Sequence, residues 1–229
     1  YNYLKYQHII EENPFNQLRF QFRTEKILPK TIPYDILKNI FSYLEQRVVI
    51  SKTDYQKQKA ERNLLIISLL LSTGIRISEL CHIHLKDINL SNKTLHIIGK
   101  GKKERILFLG DQTTFNLLET YINKNGKESN DFLFPGKHSP KPLSEQSVRL
   151  ILKRIVEQNG LSKTITPHMF RHSFATMLLD NDVDIRYIQQ ILGHSSISIT
   201  QIYTHVSHSK QKEILSSFNP MSVIHSEIE

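Results

Sequence analysis

Residues 166–205, TPHMFRHSFATMLLDNDVDIRYIQQILGHSSISITQIYTH, concentrate the side chains that could act on a substrate. Read as helices, the first part sets Phe170, Phe174, Met177 and Leu178 on one apolar stripe. His168 and Arg171, three apart, emerge together on the flank of that stripe. A second segment from Asp184 turns Ile185, Ile188 and Leu192 inward and stops at Gly193, a residue suited to the left-handed position after a helix. His194 follows at once, and a short third helix begun by Ser195 or Ser196 carries Tyr203. Two imidazoles, a guanidinium and a phenol thus gather at one edge of one core. Each is ordinary alone, since a helical tyrosine is usually just an amphipathic side chain. As a set they supply cations to hold an anion and a phenol to attack it.

Other elements must carry partners to this edge. A helix over about residues 53–73 ends in the run LLIISLLLSTG, apolar nearly all round, which places it at the centre of the fold. Directly after Gly74, Ile75-Arg76-Ile77-Ser78-Glu79-Leu80 opens a further short helix. An arginine in a first turn opposes the helix dipole unless an anion is bound there. Backbone amides with the Arg76 guanidinium would make a phosphate site, braced by Glu79 one turn on; in isolation the plainer reading is a surface arginine paired with Glu79 at i+3. Residues 86–109 change to a period of two. Leu95–Ile98 and Arg105–Leu109 form a hairpin, with Asp87-Ile88 as a third strand. Its tip, Gly99-Lys100-Gly101-Lys102-Lys103-Glu104, is strongly basic, so Lys100, Lys102, Lys103, Arg105 and also His172 are candidates for contact with a polyanion. Helices are expected from a start at Thr31 and Pro33 through Leu44, and at 112–122, 144–160 and 210–218, the last stopped by Pro220, with 219–229 as a tail. Residues 1–30 read as a basic arm or linker with Lys5, Arg19, Arg23, Lys26 and Lys30.

The formal charge of +8 favours a polyanionic partner without choosing one. No apolar run is long enough to span a bilayer, and nothing resembles a signal peptide, so a soluble cytoplasmic protein that does not enter membranes is expected. The single cysteine, Cys81, excludes an intrachain disulfide and a Cys-rich zinc site. The expected fold is α+β, mainly α, one helical domain with a small three-stranded antiparallel sheet.

In type, order and spacing, His168-x-x-Arg171, Leu192-Gly193-His194 and Tyr203 resemble the C-terminal catalytic box of the tyrosine recombinase family of phage integrases and Xer proteins. That family also carries an arginine in a Thr-Gly-x-Arg-x-x-Glu-Leu context and a lysine in a Gly-Lys-Gly hairpin, matched here at Thr73–Leu80 and Gly99–Gly101. The resemblance covers about residues 31–218, and only the linker of the family's N-terminal domain has a counterpart. It implies site-specific cleavage and rejoining of double-stranded DNA through a 3′-phosphotyrosyl intermediate and a Holliday junction. It implies Tyr203 as nucleophile, Arg76 and Arg171 on the phosphate oxygens, His168 as base, His194 as a phosphate ligand and Lys100 as the acid for the leaving 5′ oxygen. It also implies a homo-tetramer on two duplexes, with residues 210–218 docking on a neighbouring protomer, and neither metal nor nucleotide cofactor.

Two other readings compete. His168 and His172, four apart, with His194, His205 and His208 downstream, suggest a zinc hydrolase. However, Met169, Phe170 and Arg171 stand between the first pair, where a glutamate is needed and a cation is unwelcome. A DNA-binding module of the same fold that no longer reacts is disfavoured by the presence of Tyr203 and both arginines.

Overall fold

The computed structural model describes residues 1–17, 30–99, 104–125, 128, 130–137, 141–161, 164–193 and 208–226. The chain begins with a short helix, α1 (Asn2–Tyr6), and a 3-10 turn at Pro14–Gln17. Residues 18–29 of the expected arm lie outside the described residues. Pro33 caps α2 (Tyr34–Val49), which buries Leu37, Ile40, Phe41 and Leu44 at helical spacing. Thr53 then accepts from the Gln56 amide at 3.2 Å and opens α3 (Asp54–Thr73).

Every residue of α3 from Leu65 to Thr73 is buried, so the apolar run does sit at the centre. There α3 packs against α2 and the short α4 (Ile77–Cys81), and against three helices further along: α5 (Gln112–Asn125), α7 (Pro167–Asp180) and α10 (Pro220–Ser226). Each fully buried Leu or Ile of that run contributes about 2 kcal/mol relative to exposure. Between α4 and α5 lies the antiparallel sheet, β1 (Ile88–Asn89), β2 (Thr94–Ile98) and β3 (Glu104–Phe108), in the order β1-β2-β3. Ile88 faces Leu95, Leu95 faces Leu107 and Ile97 faces Arg105. Leu95, Ile97 and Leu107 are buried, so Arg105, in phase with Leu107, belongs to the inner face of the sheet.

Ser144 caps α6 (Glu145–Gln158), accepting from the Ser147 amide at 3.1 Å. Thr166 precedes Pro167 at the first position of α7, where a missing N–H costs nothing. Asp184 caps α8 (Ile185–Leu192), and Gly193 ends it in the left-handed region at φ +65°. The last helices are α9 (His208–Ser217) and α10. Among the described residues no helix is long and apolar enough to cross a membrane.

Three expectations are corrected. Pro220 does not end the helical part of the chain. It sits at the first position of α10, and the Asn219 side chain accepts from the Met221 amide at 3.0 Å while donating to the Ser72 carbonyl at 3.1 Å. The tail therefore contains a packed helix, with Met221 and Ile224 fully buried. On α8, Ile185 is exposed and Ile191 is buried in its place, because the first position of the helix precedes the turn that contacts the core. Arg76 is the residue before α4 rather than part of its first turn.

Candidate active site

Gly74 closes α3 with φ +60°, and a side chain there would collide with its neighbours. An added Cβ would lie 2.5 Å from Phe174 and 2.7 Å from Leu192. The bare backbone therefore lets α7 and the end of α8 close on the end of α3. That approach creates the site. From the inner side of α7, Arg171 donates through Nη1 to the Gly74 carbonyl and through Nη2 to the Leu192 carbonyl, both at 2.7 Å. Arg76 reaches the next carbonyl, Gly193, through Nη2 at 3.3 Å. Arg105 takes the preceding one, Ile191, through Nε at 3.1 Å. Three consecutive carbonyls at the C-terminal end of α8, where the helix dipole is negative, thus each hold one guanidinium.

Glu79 is the counter-charge. Its carboxylate accepts two bonds from Arg105, Nη1 at 3.0 Å and Nη2 at 2.7 Å, and two from Arg76, the backbone amide at 3.0 Å and Nη1 at 2.9 Å. Burial alone would raise the Glu79 carboxyl, but the Arg105 and Arg76 bonds hold it below its ordinary value. One carboxylate against three guanidiniums leaves an excess of two positive charges. Arg171, buried and flanked by Arg76 and Arg105, is pushed down to about 10 by burial first and by those neighbours second. Keeping it charged costs on the order of 3 kcal/mol, which an arriving anion would offset. Arg76, with a third of its side chain exposed, is the face of the cluster that meets solvent.

At the start of α4 the Arg76 amide is taken by Glu79, which braces Arg76 as the spacing predicts. His168 and His172 are exposed on α7 beside Arg171. Burial, then His168 and Arg171, depress the His172 imidazole, which places these groups within electrostatic reach of one another. Arg76, Glu79 and Arg171 are thus brought together, and both histidines stand on the helix that carries Arg171. Lys100, Lys102, Lys103, His194 and Tyr203 lie outside the described residues. Arg105 stands in the cluster rather than at the hairpin tip. Its inward position was available from the alternation that places it two residues before Leu107, and the basic run beside it obscured that signal. A cleft of about 540 Å³, lined by residues including Lys93, Ile106, Phe108, Gln211 and Lys212, involves none of the cluster.

Residues 41–210 match the model of the Phage integrase family. A tyrosine recombinase of Agathobacter rectalis is 50% identical over 229 residues, spanning 98% of this chain and 74% of its own length. Tyrosine recombinase XerD of Staphylococcus haemolyticus is 36% identical over 208 residues, 88% of this chain and 70% of its own. Among solved structures, XerA recombinase matches with a TM-score of 0.61 at 28% identity over 85% of this chain. XerH site-specific recombinase bound to its difH substrate, in a pre-cleavage complex, matches with a TM-score of 0.62 at 27% identity over 87%. This chain spans 65% and 58% of those two solved chains.

Proposed function

We infer that this chain, which belongs to the phage integrase family, is a tyrosine recombinase that cuts and rejoins double-stranded DNA at a specific site. The observation that carries this reading is the meeting of Arg76 and Arg171 on adjacent carbonyls of the α8 end, immediately before His194 in the chain. Two guanidiniums fixed on one short stretch of backbone can bind two nonbridging oxygens of one phosphate. Negative charge grows on those oxygens as a fifth oxygen approaches, so the pair stabilises the transition state more than the ground state.

In this reading the Tyr203 phenol oxygen attacks the scissile phosphorus, and its proton passes to His168. The bond from phosphorus to the 5′ oxygen breaks, and that oxygen leaves with a proton from Lys100. The product is a 3′-phosphotyrosyl ester and a free 5′ hydroxyl. Attack by a 5′ hydroxyl of another strand reverses the step, so no nucleotide is consumed and the joint passes through a Holliday junction. His194 hydrogen-bonds a nonbridging oxygen of the phosphate, and Lys102 and Lys103 track the DNA backbone. The working unit is a tetramer on two duplexes in the bacterial cytoplasm. Ile214 and Leu215 of α9 and Met221 and Ile224 of α10 are buried against their own domain. Exchange of the C-terminal helices between protomers would replace these contacts with equivalent ones from a neighbour.

A duplex nicked just 3′ of the scissile phosphate loses, on cleavage, the short fragment that bears the new 5′ hydroxyl, which traps the covalent product. The protein is expected to form a gel-stable adduct on such DNA, also in EDTA. Tyr203→Phe is expected to bind the same DNA and form none. An adduct with Tyr203→Phe, or a dependence on metal, would overturn the reading.

A further inference from the structure

Arg105 has no role in the reaction just described, yet each nitrogen of its guanidinium makes a bond at the site. Its planar fork meets both oxygens of Glu79, its Nε holds the Ile191 carbonyl, and its side chain is only 13% exposed. The end of α8 lies directly on it: a Cβ on Gly193 would stand 3.1 Å from the Arg105 Cδ and 3.2 Å from Nη1. In the chain it follows Lys100 by five residues, on the strand that leaves the hairpin.

We propose that Arg105 is a positioning residue for the arginine that faces the phosphate. It clamps Glu79, Glu79 fixes the Arg76 guanidinium, and the Nε bond locks that pair to the same helix end that anchors Arg171. Arg76 needs such help because it is the most exposed of the cluster and its bond to the Gly193 carbonyl is long, at 3.3 Å. Glu79 and Arg76 alone would form an i,i+3 pair with one partner free to swing into solvent. The clamp also ties β3, and with it the base of the lysine-bearing hairpin, to the guanidiniums. A lysine cannot substitute, since a single ammonium offers neither the fork nor the third donor at Nε. A direct phosphate contact is disfavoured because the fork of Arg105 is held by both oxygens of Glu79 and its Nε by the Ile191 carbonyl. The proposal rests on the phosphoryl-transfer reading above and names who sets its geometry.

The test compares Arg105→Lys and Arg105→Gln with the unaltered chain on two nicked duplexes, one with a native scissile phosphate and one with a methylphosphonate there. The methyl group removes one anionic oxygen and so removes much of the need for a well-aimed guanidinium. Both variants are expected to keep DNA affinity, and cleavage is measured at a temperature where each, though less stable, remains folded. Single-turnover cleavage of the native linkage should fall about 10- to 100-fold, the range usual for groups that orient a reacting one. On the methylphosphonate the loss should shrink to within about 3-fold, whereas a folding defect would act equally on both linkages. Glu79→Gln should show the same pattern, and the double variant should be no worse than either single one. Equal losses on both duplexes, or a weaker DNA affinity with a reduced salt dependence, would overturn the proposal. If the unaltered chain cleaves neither duplex, the underlying reaction fails instead.

Discussion

A buried carboxylate bonded to two guanidiniums makes Glu79 the residue on which the site depends. Removing one member of a buried, hydrogen-bonded charge group typically costs about 3–5 kcal/mol, because the partners are left uncompensated. Glu79→Gln keeps the shape and loses the charge, so a destabilisation of about 3 kcal/mol at neutral pH is expected in urea unfolding. The pH dependence has a definite sign. The folded-state pKa of Glu79 lies below its ordinary value, so its contribution is complete above the unfolded value, about 4.3, and is lost as the pH falls through the folded one. The gap between the two proteins should therefore narrow below about pH 4. At this scale the sequence was legible where a residue's type and its neighbours agreed. Arg76 and Glu79 stand three apart after a glycine, and their pairing follows from that spacing. Arg105 was not legible in the same way, since its inward direction depends on a sheet register that a run of lysines conceals.

At the scale of elements, the site is a junction of helix ends. Gly74, the end of α3, is the point where α7 and α8 close, and its left-handed backbone and its lack of a side chain are both required there. Gly74→Ala meets a left-handed penalty of about 1–2 kcal/mol and overpacking of about 1–3 kcal/mol against Phe174 and Leu192. A total loss near 3 kcal/mol is expected in thermal or urea unfolding, with DNA cleavage reduced even where the protein stays folded, because the Gly74 carbonyl anchors Arg171. The helices themselves were readable from caps and periodicity: Thr53, Ser144 and Asp184 each accept an amide at the helix they open. Pro220 misled because a proline ends one helix as readily as it starts another, and the deciding contact is the Asn219 amide on the distant Ser72 carbonyl. No local pattern encodes a partner 147 residues away.

For the whole molecule, a net charge of +8 and a guanidinium cluster with Arg76 part-exposed predict DNA binding that weakens steeply with salt. The logarithm of the binding constant should fall linearly with the logarithm of salt concentration, and Arg76→Ala should lower that slope by about one. A slope unchanged by that substitution would remove Arg76 from the phosphate. Fold class was legible at this scale, since one apolar helix, one basic hairpin and a C-terminal run of helices admit few arrangements. The convergence of α3, α7, α8 and β3 on one anion site needed the folded chain, being made of long-range carbonyl contacts. The most direct measurement is to trap the protein on a nicked duplex, digest it, and locate the modified peptide by tandem mass spectrometry. The nucleotide is expected on the Tyr203 oxygen, joined through its 3′ phosphate. A 5′ linkage, or an adduct on any other side chain, would contradict the account.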